Sequence, residues 1–571
     1  MTPDRRANRR IRLLLAGFVV VFAIALGRAA WLQVVHAATL GAQAQRMHEE
    51  TVTTPAARGS ILDRTGVQLA IGEQDTTIYA DPHLVADPRG VALAAHEILG
   101  VDANALYPQL VAKKTHFLYV NRFADPTLAN AFLAKHFLGI YSYPEERRVY
   151  PQDTVGAQVI GFAGTDNRGL GGLELEYDAK LAGTPGRQTI VRDATGLAID
   201  VVHATPVRPG RDVYTTLDSR IQANAEAVLR KTVASFGARS ATAIVLDPRT
   251  GGILAMAQAP GYDANDASKV PLGYQRNRAV TDTYEPGSTF KLVTIAGALS
   301  AGLVTPHTTF RLPYSIHVAD RVIHDAEWRP TETLTVAQIL SHSSNVGAIT
   351  IAEKLGPPAL MRWIDRFGYG RKTGIDFPGE SPGVVLPLDK WYGSTIGNVP
   401  IGQGIAVTPI QMAAAYAAIA NGGVWVQPHL VERVGDRPST GFAHRRVVSP
   451  RIDRELKSML TGVVDEHGAT GTAAAIPGYS VAGKTGTAQV PGPHGYTTGK
   501  YVASFVGMVP VRKPRLVILV VVNEPARGIF GGIVAAPAFA EIAKFDLQYL
   551  GVPPDQLTKA GTPPVPASLG G

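Results

Sequence analysis

Glu285-Pro286-Gly287-Ser288-Thr289-Phe290-Lys291 is the stretch on which the reading of this chain turns. Pro286 and Gly287 suit a turn that enters a helix, because proline is preset for the first helical turn. Ser288 then falls at the helix start, where backbone N–H groups lack intrahelical partners. Such groups can stabilise a developing oxyanion. Lys291 follows by three residues and shares the helix face of Ser288. A serine hydroxyl is a poor nucleophile until a neighbouring base takes its proton. A lysine can be that base only when burial or a second cation lowers its pKa. The stretch therefore reads as a serine acyl-transfer site, with Ser288 as nucleophile and Lys291 as base. Taken alone it is weak, since S-x-x-K is expected about once by chance in a chain of this length.

Two further patterns change the odds. Ser343-Ser344-Asn345 offers a hydroxyl and an amide where a helix begins, although an ordinary helix cap would look the same. Lys484-Thr485-Gly486-Thr487 lies in a strand-like stretch, and its glycine would let a ligand backbone approach closely. A hairpin edge with an exposed lysine is the plainer reading of that segment.

The elements around these patterns set the fold class. Asp218 can cap a helix over 220–235 that Gly237 ends. Residues 241–246 and 253–257 flank the turn Asp247-Pro248-Arg249-Thr250-Gly251 and read as a β-hairpin. More strands are expected over 480–488, 501–509 and 516–522. Helices are expected over 288–301, 336–342, 344–355 and 409–420. Strands at both ends with helices inserted between them indicate an α+β fold. The region 36–220 mixes short apolar stretches with Gly, Pro and Asp, which predicts strands and loops with few helices, one of them over 126–136.

Composition narrows the classes. Of 571 residues 45% are apolar and 18% charged, as in a globular chain. The net charge of +8 is not gathered into a basic stripe with aromatics, so no nucleic-acid partner is expected. There is no cysteine, which excludes disulfides and thiol catalysis. No histidine pair at metal-ligand spacing stands out, so no metal is expected, and no cofactor either. At the amino terminus, Arg5, Arg6, Arg9, Arg10 and Arg12 precede an apolar run over 13–27 that resumes after Arg28 and reaches residue 35. A span of 13–35 can cross a bilayer, which needs about 20 residues. The arginines would keep the amino terminus in the cytoplasm. A cleaved signal peptide with small residues around Val35, Ala37 and Ala38 is the competing reading.

In the order S-x-x-K, S-x-N, K-T-G, the three patterns resemble those of penicillin-binding transpeptidases. The resemblance implies that Ser288 attacks a D-Ala-D-Ala carbonyl, that Lys291 accepts its proton, and that Ser343 relays protons to the leaving group. Asn345 would hold Lys291 and the substrate amide. Lys484 would help keep Lys291 neutral and, with Thr485, Gly486 and Thr487, bind the terminal carboxylate. The N–H groups of Ser288 and Thr487 would form the oxyanion hole. Upstream, Arg58-Gly59-Ser60-Ile61-Leu62-Asp63-Arg64-Thr65-Gly66 is similar to the pedestal signature of class B penicillin-binding proteins, with Thr65 where asparagine is usual. Gly171-Gly172-Leu173-Glu174, Tyr177-Asp178 and Leu181-Ala182-Gly183 also match that pedestal.

The resemblance implies a cytoplasmic tail (1–12), a transmembrane anchor (13–35) and a β-rich pedestal of the dimerisation type (36–220). A transpeptidase domain (221–550) with an antiparallel sheet, flanking helices and a helical subdomain would follow, then a disordered tail (551–571). The segment 500–507, with Pro510, Phe530-Gly531-Gly532 and Ala536-Pro537-Ala538-Phe539, is similar to the division-specific FtsI type. The implied function is a β-lactam-inhibited peptidoglycan D,D-transpeptidase in the inner membrane, with its catalytic domain in the periplasm. Implied partners are stem peptides, the membrane, an FtsW-type glycosyltransferase and other division proteins. The elongation-specific branch and a non-catalytic division scaffold stand as alternatives. A serine β-lactamase would need a water-activating base, and no E-x-x-L-N stretch supplies one. The acidic motifs of a glycosyltransferase domain are missing from 36–220.

Overall fold

The computed structural model describes residues 3–34, 49–192, 198–492 and 495–556. Of the tail expected to be disordered, 557–571 lie outside the described residues, as do residue 35 of the anchor and the alternative cleavage site at Val35, Ala37 and Ala38. Two compact units are present, one of 1–57 and 183–210 and one of 58–182 and 211–571.

The first unit holds a helix, Pro3–Val34, and a three-stranded antiparallel sheet with Gly186–Arg192 between Glu49–Thr54 and Ala198–Thr205. The helix contains an apolar span, Ala7–Val34, of mean hydropathy 2.3. Its large side chains, Phe18 and Phe22 among them, are exposed. Its 28 residues rise about 42 Å, which exceeds the ~30 Å hydrocarbon core of a bilayer.

In the second unit a long strand, Gln68–Ala80, pairs antiparallel to Leu118–Ala124 and Ile140–Val149. Helices Pro88–Leu99, Ala103–Ala112 and Pro126–Leu133 enclose a small core of Ile78, Val91, Leu106, Leu110 and Phe132. Asp87, Asp102 and Asp125 cap the three helices by accepting from backbone N–H groups. The helix expected over 126–136 stops at Leu133, and His136 adopts a φ of 53° that no helix continues.

The signature segments upstream are joined by a buried ion network. Arg58 pairs with Glu174 and Asp178, both at 2.7 Å, and Arg148 pairs with Glu174 at 2.6 Å. Strand Ile61–Leu62 lies parallel to Val213–Thr215, and Ile61 packs into the large core shared with the elements after residue 218.

In that later part, α1 (Ser219–Phe236) is capped by Asp218 and ended by Gly237. Then come β1 (Ser240–Leu246), β2 (Ile253–Ala259), α2 (Lys291–Ser300), α3 (Val336–Ser341), α4 (Asn345–Leu355), α5 (Pro409–Ala420) and α6 (Pro450–Asp465). The last elements are β3 (Ala482–Gly492), β4 (Gly495–Val509), β5 (Leu516–Asn523) and α7 (Ala536–Tyr549). The sheet is antiparallel in the order β2-β1-β5-β4-β3. Side chains alternate between its faces. Ala243, Val245, Ile518 and Val520 pack under α1 and α7, while Ile244, Leu246, Leu519 and Val521 face α2, α4, α5 and α6. Both faces are covered, which explains why β1 and β5 read as unbroken apolar runs. Every residue of α5 is buried, and a Thr408–Gln411 capping box starts it. This is the α+β architecture the sequence implies.

Candidate active site

Ser288 sits in a 3-10 turn, Gly287–Phe290, that leads into α2. The sequence predicts one continuous helix from 288, whereas regular helix begins only at Lys291. Thr289 Oγ1 donates to Pro286 O (2.8 Å), and Gly287 N donates to Gly402 O (3.1 Å), fixing the tight entry. Gly287 has a φ of 57°, and a Cβ there would lie 2.6 Å from Thr487 O and 3.2 Å from Thr487 N. Only glycine lets the backbone before Ser288 press against β3 in this way.

Lys291 is completely buried. Its Nζ donates to Ser343 O (2.5 Å), Asn345 Oδ1 (2.8 Å) and Ser343 Oγ (3.2 Å). Ser343 holds a φ of 60°, a left-handed conformation that is uncommon outside glycine. Burial lowers the pKa of Lys291 to about 7, against the opposing charge of Asp325. A buried amine that is half-deprotonated near neutrality can exchange a proton with a neighbouring hydroxyl.

Sequence reasoning missed the residues that hold this arrangement. Asp325 Oδ1 accepts from Asn345 N (2.5 Å) and Val346 N (3.0 Å), and the Asp325 carboxylate takes the Ser344 hydroxyl at 3.1 Å. Arg329 pairs with Asp325 at 2.6 Å. Asn345 Nδ2 donates to His324 O at 3.1 Å, so both ends of its amide are fixed. The loop 324–329 thus sets the start of α4, and no local spacing pattern marks it.

On the facing strand, Lys484 is also completely buried. Its Nζ donates to Thr485 O and Thr485 Oγ1, both at 3.2 Å. Burial, and then the proximity of Lys291, hold its pKa well below the usual lysine value. Thr485 Oγ1 is 2.8 Å from Thr470 Oγ1, and Thr487 Oγ1 accepts from Gly531 N at 3.2 Å. A Cβ on Gly486 would fall 2.3 Å from Ser504 Oγ and 2.8 Å from Pro286 O. The backbone that approaches this glycine is the protein's own.

A cavity of about 990 Å³ is lined by Ser288, Ser343, Asn345, Thr485, Thr487 and Trp328, among others. The two lysines lie behind this lining. The geometry therefore brings together all eight residues singled out in the sequence, with serine, threonine and asparagine side chains facing the opening and two buried amines behind them.

A family model described as "Penicillin binding protein transpeptidase domain" matches residues 241–544, and one described as "Penicillin-binding Protein dimerisation domain" matches residues 53–215. The chain is 34% identical over 564 residues to the probable peptidoglycan D,D-transpeptidase PbpC of Pseudomonas aeruginosa, covering 97% of each. It is 34% identical over 559 residues to peptidoglycan D,D-transpeptidase FtsI of Escherichia coli, covering 96% of this chain and 93% of that one. The crystal structure of penicillin binding protein 3 from Mycobacterium tuberculosis, complexed with aztreonam, aligns with a TM-score of 0.69 at 30% identity and covers 89% of this chain and 99% of that one.

Proposed function

Because the chain belongs to the class B penicillin-binding proteins and is a serine-type peptidoglycan D,D-transpeptidase, we propose that Ser288 is the residue acylated by the stem peptide and by β-lactams. The observation that carries the assignment is the buried Lys291 amine, three residues after Ser288 and held by Ser343 and Asn345, which line the cavity with Ser288. Ser288 Oγ attacks the carbonyl of the D-Ala-D-Ala bond and its proton passes to Lys291 Nζ. The N–H groups of Ser288 and Thr487 receive the oxyanion. As the tetrahedral species collapses, Ser343 passes a proton to the departing D-alanine amine. Thr485 and Thr487 hydrogen-bond the terminal carboxylate, Gly486 lets their strand lie close to the nucleophile, and Lys484 sets the potential from behind. An acceptor amine then attacks the ester and regenerates the Ser288 hydroxyl.

Labelling with fluorescent penicillin tests this. Wild type is expected to be labelled, and Ser288→Ala and Lys291→Ala are expected to be unlabelled while retaining the wild-type circular dichroism spectrum. Labelling of a folded Ser288→Ala protein would sink the assignment.

We further propose that the enzyme works at the septum with a glycosyltransferase of the FtsW type, anchored by its apolar helix with the catalytic part outside the cytoplasm. Similarity to FtsI of Escherichia coli and the 28-residue apolar span support this reading. Depletion in the native cell is expected to give filaments; round cells would instead indicate elongation. Because the chain has no cysteine, a Tyr392→Cys protein can be probed cleanly with a membrane-impermeant maleimide on spheroplasts. Tyr392 is exposed, and labelling is expected.

A further inference from the structure

Away from the catalytic cavity, two histidines and a carboxylate converge. Asp81 follows directly on the strand Gln68–Ala80, and Ala80 is paired with Leu118. That pairing brings His116, two residues before the strand Leu118–Ala124, beside Asp81 and His83, which follow the end of Gln68–Ala80. Each of the three side chains offers one donor atom within 4.8 Å of the others, and this is the one such group among the described residues.

The donors are held in place. Asp81 N donates to Gly139 O (2.8 Å), and Asp81 O accepts from Leu84 N (3.0 Å). Asp81 Oδ1 accepts from His83 N at 3.0 Å, which orients the carboxylate. His116 precedes Phe117, whose ring stacks on Tyr79 with centroids 4.8 Å apart, pinning one strand end against the other. The two imidazoles stack at 4.1 Å with 19° between their planes. His83 Nδ1 is 3.5 Å from Asp81 Oδ1, and His116 Nδ1 is 3.1 Å from Asp81 Oδ2.

The two histidine–carboxylate separations, 3.5 Å and 3.1 Å, are close to those between the donors of one ion. A tetrahedral centre with bonds of about 2.0–2.1 Å spaces its donors about 3.3 Å apart. An imidazole lone pair lies in its ring plane, so the largely exposed His116 ring has to turn out of the stack for both histidines to reach one ion. Two imidazoles and a carboxylate suit zinc and its first-row neighbours rather than magnesium or calcium. The side chains are 17%, 39% and 78% exposed for Asp81, His83 and His116, so a further coordination position opens to solvent.

We propose that Asp81, His83 and His116 form a binding site for a divalent transition-metal ion of the Zn²⁺ class, with at least one open coordination position. This departs from the sequence expectation of no metal: His116 lies far along the chain from Asp81-x-His83, and only the strand register unites them. The inference does not depend on the catalytic assignment.

The test is calorimetric titration of the tag-free, chelator-treated full chain with ZnCl₂. One saturable site per chain is expected. His83→Ala, His116→Ala and Asp81→Ala should each weaken it by roughly tenfold or more, and His307→Ala should leave it intact. X-ray absorption at the zinc edge should show two imidazole nitrogens and a carboxylate oxygen. Penicillin labelling serves as the fold control and is expected to be unchanged in all variants. Absence of one-to-one binding, or binding that survives in a His83→Ala/His116→Ala double variant, would overturn the proposal and leave only histidine–carboxylate hydrogen bonds.

Discussion

Two influences act against each other on Lys291: burial removes its proton, and the charge of Asp325 favours keeping it. If Lys291 is the base, only its neutral form is active, and that form grows as pH rises through about 7. The second-order rate of penicillin acylation should therefore climb with pH and level off above that value, as stopped-flow measurement would show. Asp325→Asn removes the opposing charge, so the inflection should move to lower pH. An inflection that stays in place would detach Asp325 from the lysine's titration. The same substitution breaks a mostly buried pair with Arg329, and should cost about 3 kcal/mol in urea unfolding. Asp325 also marks what a sequence conceals. Ser288, Lys291, Ser343, Asn345 and residues 484–487 stand in short patterns whose chemistry is local. Asp325 and Arg329 sit in Asp325-Ala326-Glu327-Trp328-Arg329, which reads as a charged loop, and their role exists only once that loop folds onto the start of α4.

Between elements, close backbone approach does what side chains cannot. The segment 286–289 and β3 touch through Gly287 and Gly486, and a methyl group on Gly486 would meet Ser504 Oγ and Pro286 O well inside contact distance. Gly486→Ala should push the nucleophile segment away from β3, slowing acylation at least as much as it lowers stability, by about 1–3 kcal/mol. A variant that loses stability yet acylates at the wild-type rate would show that this spacing is not catalytic. Glu174 joins the signature at Arg58 to the strand carrying Arg148. All three side chains are nearly or fully buried, and Arg148 Nη1 and Nη2 have no hydrogen-bond partner. Glu174→Ala leaves the buried Arg148 guanidinium uncompensated and Arg58 with Asp178 alone, and should cost about 3–5 kcal/mol in denaturant titration. Helix caps and unbroken apolar strands made α1, α5, β1 and β5 readable in advance, because their causes lie within a few residues. The 3-10 entry at Ser288 was not readable, since it depends on Gly402 O and on contact with β3.

The residues proposed to act in catalysis and their hydrogen-bond partners all lie in the unit of 58–182 and 211–571. That unit has its own cores: one spans the sheet, α2, α4, α5 and α6, another lies under α1 and α7, and a third is enclosed by the three upstream helices. The apolar helix belongs to the other unit, and its large side chains are exposed along its length. Such a surface is unfavourable in water and favourable in hydrocarbon, so the helix should determine where the protein resides rather than whether the site forms. A chain begun at Glu49 keeps the strand Glu49–Thr54 paired with Gly186–Arg192 and discards only what precedes it. It should leave the membrane fraction, remain monodisperse without detergent and be labelled by fluorescent penicillin as fast as the full chain in detergent. Slower labelling by a truncated protein with an unchanged unfolding midpoint would mean that the helix influences Ser288 directly. A lowered midpoint would mean that it contributes to folding, and either result would overturn the separation argued from the packing.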